Sequence, residues 1–308
     1  MRLKTLFFGL AAIGSLVAMR PREADACGGC FVQQSESTEV SGHRMVLSIS
    51  QQQTTLWDQI TYSGNPAEFA WVLPIRGQVD VGLSSDTMFQ ALDDTTRVTV
   101  NSPSLNCGFQ SCNGTSAGTG ASFGDGAGGS GVSIISEKVV GPYETVQLKS
   151  SDPQALNTWL TSHGYSIPAD VTPIIDAYVT EGFDFLALRL VPGQDVTAMR
   201  PVRVTMPGAS ASLPLRMVAA GTGAVTPITL WILGEGRYAP ANMPSFEIDS
   251  KNLVWDWDTQ SSNYSKLREA GFTASNGKGW LVEAGSPEGS YIFQNLVDNA
   301  INDPQGSG

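Results

Sequence analysis

Residues 113–131 constrain this chain more than any other stretch, because eight of the nineteen are Gly and most of the rest are Ser, Thr or Ala. Such a segment has almost no apolar surface to offset the entropy of ordering it, so it cannot belong to a packed core. The chain is therefore expected to organise around it. Residues 27–112 form an N-terminal β-rich lobe with one helix, residues 113–131 a Gly-rich linker or surface loop, and residues 132–308 a C-terminal α+β lobe.

The start of the chain adds a second constraint. A basic head, Met1-Arg2-Leu3-Lys4, precedes an uncharged apolar run over residues 6–19, which is 14 residues long. A membrane-spanning helix needs about 20 residues, so the run suits a signal peptide better than an anchor. Ala24-Asp25-Ala26 places small residues where a signal peptidase reads them, and cleavage after Ala26 is expected, which leaves no transmembrane segment. Cys27 then becomes the first residue. Lipid anchoring at Cys27 is the lesser expectation, because the stretch from Arg20 to Asp25 separates the cysteine from the apolar run. Removing residues 1–26 takes away four basic and two acidic side chains, so the net charge of −11 becomes −13 over 282 residues. That surface repels phosphate backbones, and nucleic acid is not an expected partner.

Cys27, Cys30, Cys107 and Cys112 are the four cysteines, and in an exported chain two close pairs favour disulfides. Three connectivities are open, including a cross-link between the two clusters and two local loops.

Periodicity places the regular elements. Strands are predicted at residues 45–49, 56–62 and 69–75, the last with Phe69, Trp71, Leu73 and Ile75 on one face. Asn65-Pro66 marks the turn between the last two. Pro74 lacks the N–H a ladder requires, which points to an edge strand or a strand end. Met88, Phe89 and Leu92 fall at helical spacing behind a cap at Ser85 or Asp86, giving a helix to about Thr95. Beyond the Gly-rich segment a strand is predicted at 143–148. Asp152-Pro153 starts a helix that buries Leu156, Trp159 and Leu160 and stops at Gly164. A second helix has Thr172 as its cap and Pro173 as its start, buries Ile174, Ile175, Tyr178 and Val179 and stops at Gly182. Further strands are expected at 184–191, 202–206, 213–219, 228–233 and 253–257, with helices at 264–270 and 291–301. Strands and helices come in separate runs, so the predicted class is α+β: β-rich, mainly antiparallel sheets with a few helices.

The segments Cys27-Gly28-Gly29-Cys30-Phe31, Phe69-Ala70-Trp71-Val72-Leu73-Pro74-Ile75 and Phe89 through Leu92-Asp93 to Thr95 carry a resemblance. So do Gly141-Pro142-Tyr143-Glu144, the blocks from Asp152 to Tyr165, and Phe183-Asp184-Phe185-Leu186-Ala187-Leu188. Together they resemble the exported bacterial family called domain of unknown function 2330, over nearly the whole mature chain. The resemblance implies export and a shared fold and brings no activity with it. Many members end in an anchoring or sorting tail; Gln305-Gly306-Ser307-Gly308 has no such apolar character, so surface anchoring is not expected here.

Candidate chemistry is sparse. Cys27-Gly28-Gly29-Cys30 has thiol–disulfide spacing, but no helix N-terminus or cation is evident to activate a thiolate, so a structural bridge is the expected reading. Gly114-Thr115-Ser116-Ala117-Gly118 matches a nucleophile elbow only formally, since no strand precedes it and no helix follows. His43 opens a strand without an evident partner, and His163 sits where it would cap a helix C-terminus. Two histidines exclude a multi-histidine metal centre. Trp255-Asp256-Trp257-Asp258 alternates, which on a strand puts both indoles on one face and both carboxylates on the other. Buried, the indoles are core, the favoured reading; exposed, Trp255 and Trp257 could meet a sugar or a protein partner, while Asp256 and Asp258 are candidates for Ca²⁺. Residues 124–129 show one copy of a calcium-type glycine repeat, which cannot stack alone.

No cofactor is expected. The leading expectation is an exported, non-catalytic envelope or secreted protein that acts through binding or structure, with an envelope protein or a glycan as partner. Its alternatives are a thiol–disulfide oxidoreductase using Cys27 and Cys30, and a carbohydrate- or calcium-binding module.

Overall fold

A computed structural model describes residues 30–32, 39–63, 69–104, 137–149, 155–165, 167, 169, 171–194, 198–219 and 226–285. The signal segment, Cys27, Cys107, Cys112, the Gly-rich segment and the helix expected at 291–301 lie outside the described residues.

In chain order the first half supplies β1 (Cys30–Val32), β2 (Glu39–Ile49), β3 (Gln53–Ser63), β4 (Phe69–Ile75), β5 (Asp80–Leu83) and α1 (Asp86–Thr96). The second supplies β6 (Glu137–Val140), β7 (Tyr143–Leu148), α2 (Ala155–Ser162), α3 (Thr172–Thr180), β8 (Asp184–Leu190), β9 (Val202–Pro207), α4 (Leu215–Ala219) and β10 (Ile228–Leu233). These strands make two five-stranded sheets, ordered β1-β4-β8-β7-β6 and β10-β2-β3-β9-β5, antiparallel except for β10 against β2. The β-rich, mainly antiparallel α+β class is the one the sequence predicts.

Period-two alternation decides which layers touch. Met45 and Leu47 of β2 and Leu56 of β3 point at the other sheet and meet Trp71, Leu73, Ile75, Leu186 and Leu188 in the central core. Val46 and Trp57, one residue out of phase, face the opposite way and are covered by Met88, Phe89 and Leu92 of α1 with Trp231 of β10. On the far side of the second sheet, Ala70, Val72, Phe185 and Ala187 receive Leu156, Trp159 and Leu160 of α2, Ile175 and Tyr178 of α3, and Met217 of α4. The result is a helix–sheet–sheet–helix stack. Because β4 and β8 are buried on both faces, their sequences read as near-continuous apolar runs.

Two corrections follow. The expected lobes 27–112 and 132–308 are not separate bodies, since both sheets take strands from each side of the Gly-rich segment. The β2–β3 hairpin can complete its ladders only with β10 on one side and β9 on the other, and lengthening a connecting loop costs little, about 0.6 kcal/mol per doubling. The strand expected at 213–219 is instead an irregular approach followed by α4. Pro214 sets a helical φ, and its carbonyl receives the N–H of Met217 at 3.0 Å. That turn lets adjacent residues serve different layers, Met217 the α2–α3 side and Val218 the central core.

Other elements follow local chemistry closely. The Ser85 hydroxyl caps α1 by accepting from Met88 N at 3.3 Å. Thr172 is the first residue of α3 rather than its cap, Val171 taking the cap position. Gly164 and Gly182 close α2 and α3 in the left-handed region, φ +87° and +75°. β1 reaches only as far as Trp71 along β4, so Pro74 lies where that edge carries no partner among the described residues. Arg44, on the outer face of β2, donates to Gln59 Oε1 at 3.0 Å, to the Phe89 carbonyl at 2.7 Å and to Asp93, which fastens α1 to the sheet.

The C-terminal residues build a smaller arrangement from β11 (Ser245–Phe246), β12 (Trp255–Asp256), β13 (Ser261–Ser262), α5 (Tyr264–Ala274) and β14 (Trp280–Leu281). β11 pairs with β14 and β12 with β13. α5 runs past the Ala270 expected as its end. A Cβ on Gly271 would stand 2.1 Å from Phe246 Cε2, so this glycine is a packing residue inside the helix and not its terminator. Among the described residues no helix is long and apolar enough to cross a membrane.

Candidate functional site

The β12–β13 hairpin sets Trp255 opposite Ser262 and Asp256 opposite Ser261, and residues 257–260 close it. Two side chains hold this shape. Asp256 Oδ1 accepts from Asp258 N at 2.9 Å and from Thr259 N at 3.2 Å. Those backbone donors, Thr259 foremost, keep the Asp256 carboxyl below the usual carboxylate range. Asn263 Oδ1 accepts from Val254 N at 2.8 Å, and Asn263 Nδ2 donates to the Asn252 carbonyl at 3.0 Å. Gln260 takes φ +50°, where a side chain costs about 1–2 kcal/mol, so the surroundings impose the turn on the chain.

The expected strand at 253–257 thus shrinks to Trp255–Asp256, because the Asp256 side chain pulls the following N–H groups into a turn. The alternation breaks at Trp257. Among the described residues neither indole joins a core cluster, which corrects the favoured core reading: Trp257 is 50% exposed and Val254 is 64% exposed. Trp257 meets Trp255 edge to face, with centroids 6.4 Å apart and planes at 70°. Trp255 Nε1 is buried without a hydrogen-bond partner among the described residues.

Tyr264 opens α5 immediately behind this turn and donates to Glu283 Oε1 at 2.6 Å. Burial, and next the bond to Glu283, push its phenol up to about 12. A value raised in the folded state means the contribution is complete below the unfolded value of about 10 and is lost as pH climbs through about 12. Denaturant titrations across that window are expected to show the wild-type chain losing stability that a Tyr264→Phe variant does not lose.

A second constellation sits between the sheets. His43 and Asp58 are 1% and 2% exposed, and His43 Nδ1 lies 3.2 Å from Asp58 Oδ1 and 3.4 Å from Oδ2. Against a carboxylate the imidazole nitrogen donates. His43 Nε2 is buried with no hydrogen-bond partner among the described residues. The hairpin register makes them neighbours: His43 stands opposite Ile60 and Met45 opposite Asp58, so the pair is diagonal on the inward face. Sequence reasoning left His43 without a partner and overlooked Asp58. The available signal was the alternation Leu56, Asp58, Ile60, a carboxylate on an otherwise apolar strand face.

Asp58 also lines a cleft of about 170 Å³. Its floor is Asp58, Trp71, Tyr143, Leu188 and Val202, all buried; its rim includes the exposed Thr61, Asp86 and Arg200. The Tyr143 hydroxyl donates to the Arg200 carbonyl at 2.7 Å and accepts from Arg200 N at 2.9 Å, which fixes the segment that closes one side.

The backbone of Cys30 lies in β1 opposite Trp71. His163 follows α2; its Nδ1 donates to the Trp159 carbonyl at 2.7 Å and its ring packs on Trp159 at 4.5 Å, as a C-terminal cap does. Gly114 to Gly118 and residues 124–129 lie outside the described residues. Among the described residues no three of His, Cys, Asp and Glu group as metal ligands, Asp256 and Asp258 included.

No curated protein and no solved structure matches the chain. A family described as an uncharacterized protein conserved in bacteria (DUF2330) matches residues 21–294, a span that includes both sheets, the cleft and the tryptophan turn, and the chain belongs to that family.

Proposed function

We propose that the chain is exported, loses residues 1–26, pairs its cysteines and acts outside the cytoplasm as a non-catalytic binding protein that presents Trp257 to a neutral glycan of the cell envelope. The apolar run at residues 6–19 and the Ala24-Asp25-Ala26 site support export. One observation carries the binding reading: a tryptophan half exposed on a turn held by Asp256 and Asn263. A large aromatic left in water forfeits roughly 1.5–3 kcal/mol of burial, and a rigid indole loses little entropy when a sugar ring stacks on it. Asp258 beside it is exposed and offers an acceptor for hydroxyl groups. The acidic surface disfavours anionic partners.

The test uses the processed chain recovered from the exporting cell, with its first residue read by mass spectrometry. Tryptophan fluorescence is titrated with chitotetraose, a soluble neutral oligosaccharide. The expected result is saturable binding that weakens at least tenfold in Trp257→Ala, about 1.4 kcal/mol. Equal binding by both proteins, no binding by either, or a chain still carrying residues 1–26 would overturn the proposal.

A further inference from the structure

The inter-sheet cleft stands apart from the tryptophan turn and has its own chemistry. At its floor lies a carboxylate, Asp58, that is 2% exposed. Burying a carboxylate is costly unless its oxygens are satisfied by charge-assisted hydrogen bonds, which run about 2.7–2.9 Å. Among the described residues Asp58 has one hydrogen-bond partner, His43 Nδ1, and both approaches, 3.2 and 3.4 Å, are longer than that. His43 therefore meets only part of what this carboxylate requires, and Asp58 also lines the cleft.

The walls show what could supply the rest. Trp71 and Tyr143, each 3% exposed, are aromatic members of the cleft lining, and Leu188 and Val202 add apolar surface. A second carboxylate, Asp86, stands at the mouth. Among the described residues that line the cleft the one cation is Arg200, which is exposed and whose Nη1 donates, among its contacts, to the Met199 carbonyl at 3.0 Å. Aromatic rings lining a cleft beside carboxylates favour a cation whose surface is itself apolar. A cavity of about 150 Å³ accommodates benzene, so about 170 Å³ is enough for a small alkylammonium head group and too little for a drug-sized ligand, which takes roughly 300 Å³ or more.

We propose that this cleft binds a small organic cation of the alkylammonium class, held by the Asp58 carboxylate between Trp71 and Tyr143, with Asp86 guiding entry. His43 is a positioning residue here: its Nδ1–H orients the carboxylate.

Calorimetric titration of the full processed chain with choline, and with its neutral isostere 3,3-dimethyl-1-butanol at matched ionic strength, separates charge recognition from mere filling. Choline is expected to bind at least tenfold more tightly than the alcohol. Asp58→Asn, checked for folding by circular dichroism, should bring the two affinities within about threefold of each other. If that variant does not fold, Asp86→Asn at the exposed rim should weaken choline and leave the alcohol unchanged. Trp257→Ala should bind choline as the wild type does, which keeps this site distinct from the glycan proposal. Equal affinity for the two ligands, no choline binding, indifference of the folded aspartate variant, or loss of choline binding in Trp257→Ala would each overturn the assignment.

Discussion

Replacing His43 by Leu is expected to destabilise the protein by about 3–5 kcal/mol, while replacing His43 and Asp58 together by Leu costs less than the single change. The asymmetry comes from desolvation. With His43 gone, Asp58 keeps its buried position at 2% exposure and loses its hydrogen-bond donor, and breaking a buried pair on one side leaves an uncompensated charge worth about that much. When both partners become apolar, nothing polar remains to be compensated, and the leucines extend the core that Met45, Leu56 and Leu188 already form. Asp58→Leu alone should fall between, because an unpaired imidazole N–H costs about 1–3 kcal/mol. Urea denaturation of the four proteins, followed by tryptophan fluorescence, gives the complete cycle. A His43→Leu variant within 1 kcal/mol of wild type, or a double variant worse than both singles, would show that the pair is not held in this way. Folded domains have about 5–15 kcal/mol in total, so the single change removes a large share.

Trp57→Ala should cost a similar amount, about 3–5 kcal/mol, by a different route. Trp57 is 0% exposed and lies between the outer face of β3 and Met88, Phe89 and Leu92 of α1. Truncation empties the seat of that helix, and the polar tether from Arg44 to Phe89 and Asp93 is left to hold it. Amide exchange over residues 86–96 is therefore expected to speed up more than exchange in β4 or β8. Trp57→Phe should be much milder, below about 1.5 kcal/mol. It opens a smaller void and also removes Trp57 Nε1, a buried N–H with no partner among the described residues. If Phe and Ala prove equally damaging, indole volume is not what seats α1.

The sequence was legible wherever a local rule and the tertiary outcome agreed. Thr172-Pro173 opens a helix whatever surrounds it, because proline fixes φ and needs no N–H there. Gly164 and Gly182 end helices because only glycine enters the left-handed region without strain. The alternation of Trp71, Leu73 and Ile75 marks a face, and that face is buried. Local rules failed where a distant contact overrode them. The helix expected to end at Ala270 runs on through Gly271, where the Phe246 ring occupies the place a Cβ would take. Residues 213–219 read as a strand, yet Met217 and Val218 must reach two different layers. Trp257 reads as the second indole of a buried strand face, but the side chain of Asp256 turns the backbone before that strand can extend.

The same division holds for the candidate sites. Trp255 and Trp257 could be singled out from their spacing, but whether they faced water depended on a turn built from Asp256, Asn263 and Gln260. His43 was visible and its partner was not, since a contact across 15 residues exists only once the β2–β3 register is set. The sequence by itself determined the class, the positions of most of the longer elements and the buried face of β4, because these follow from backbone sterics and the period of apolar residues. The tertiary structure alone decided that both halves of the chain share two sheets, that Asp58 meets His43 beside a cleft, and that Trp257 stays in water. Those outcomes depend on which strand edges and side chains, far apart along the chain, satisfy one another's hydrogen bonds and volume.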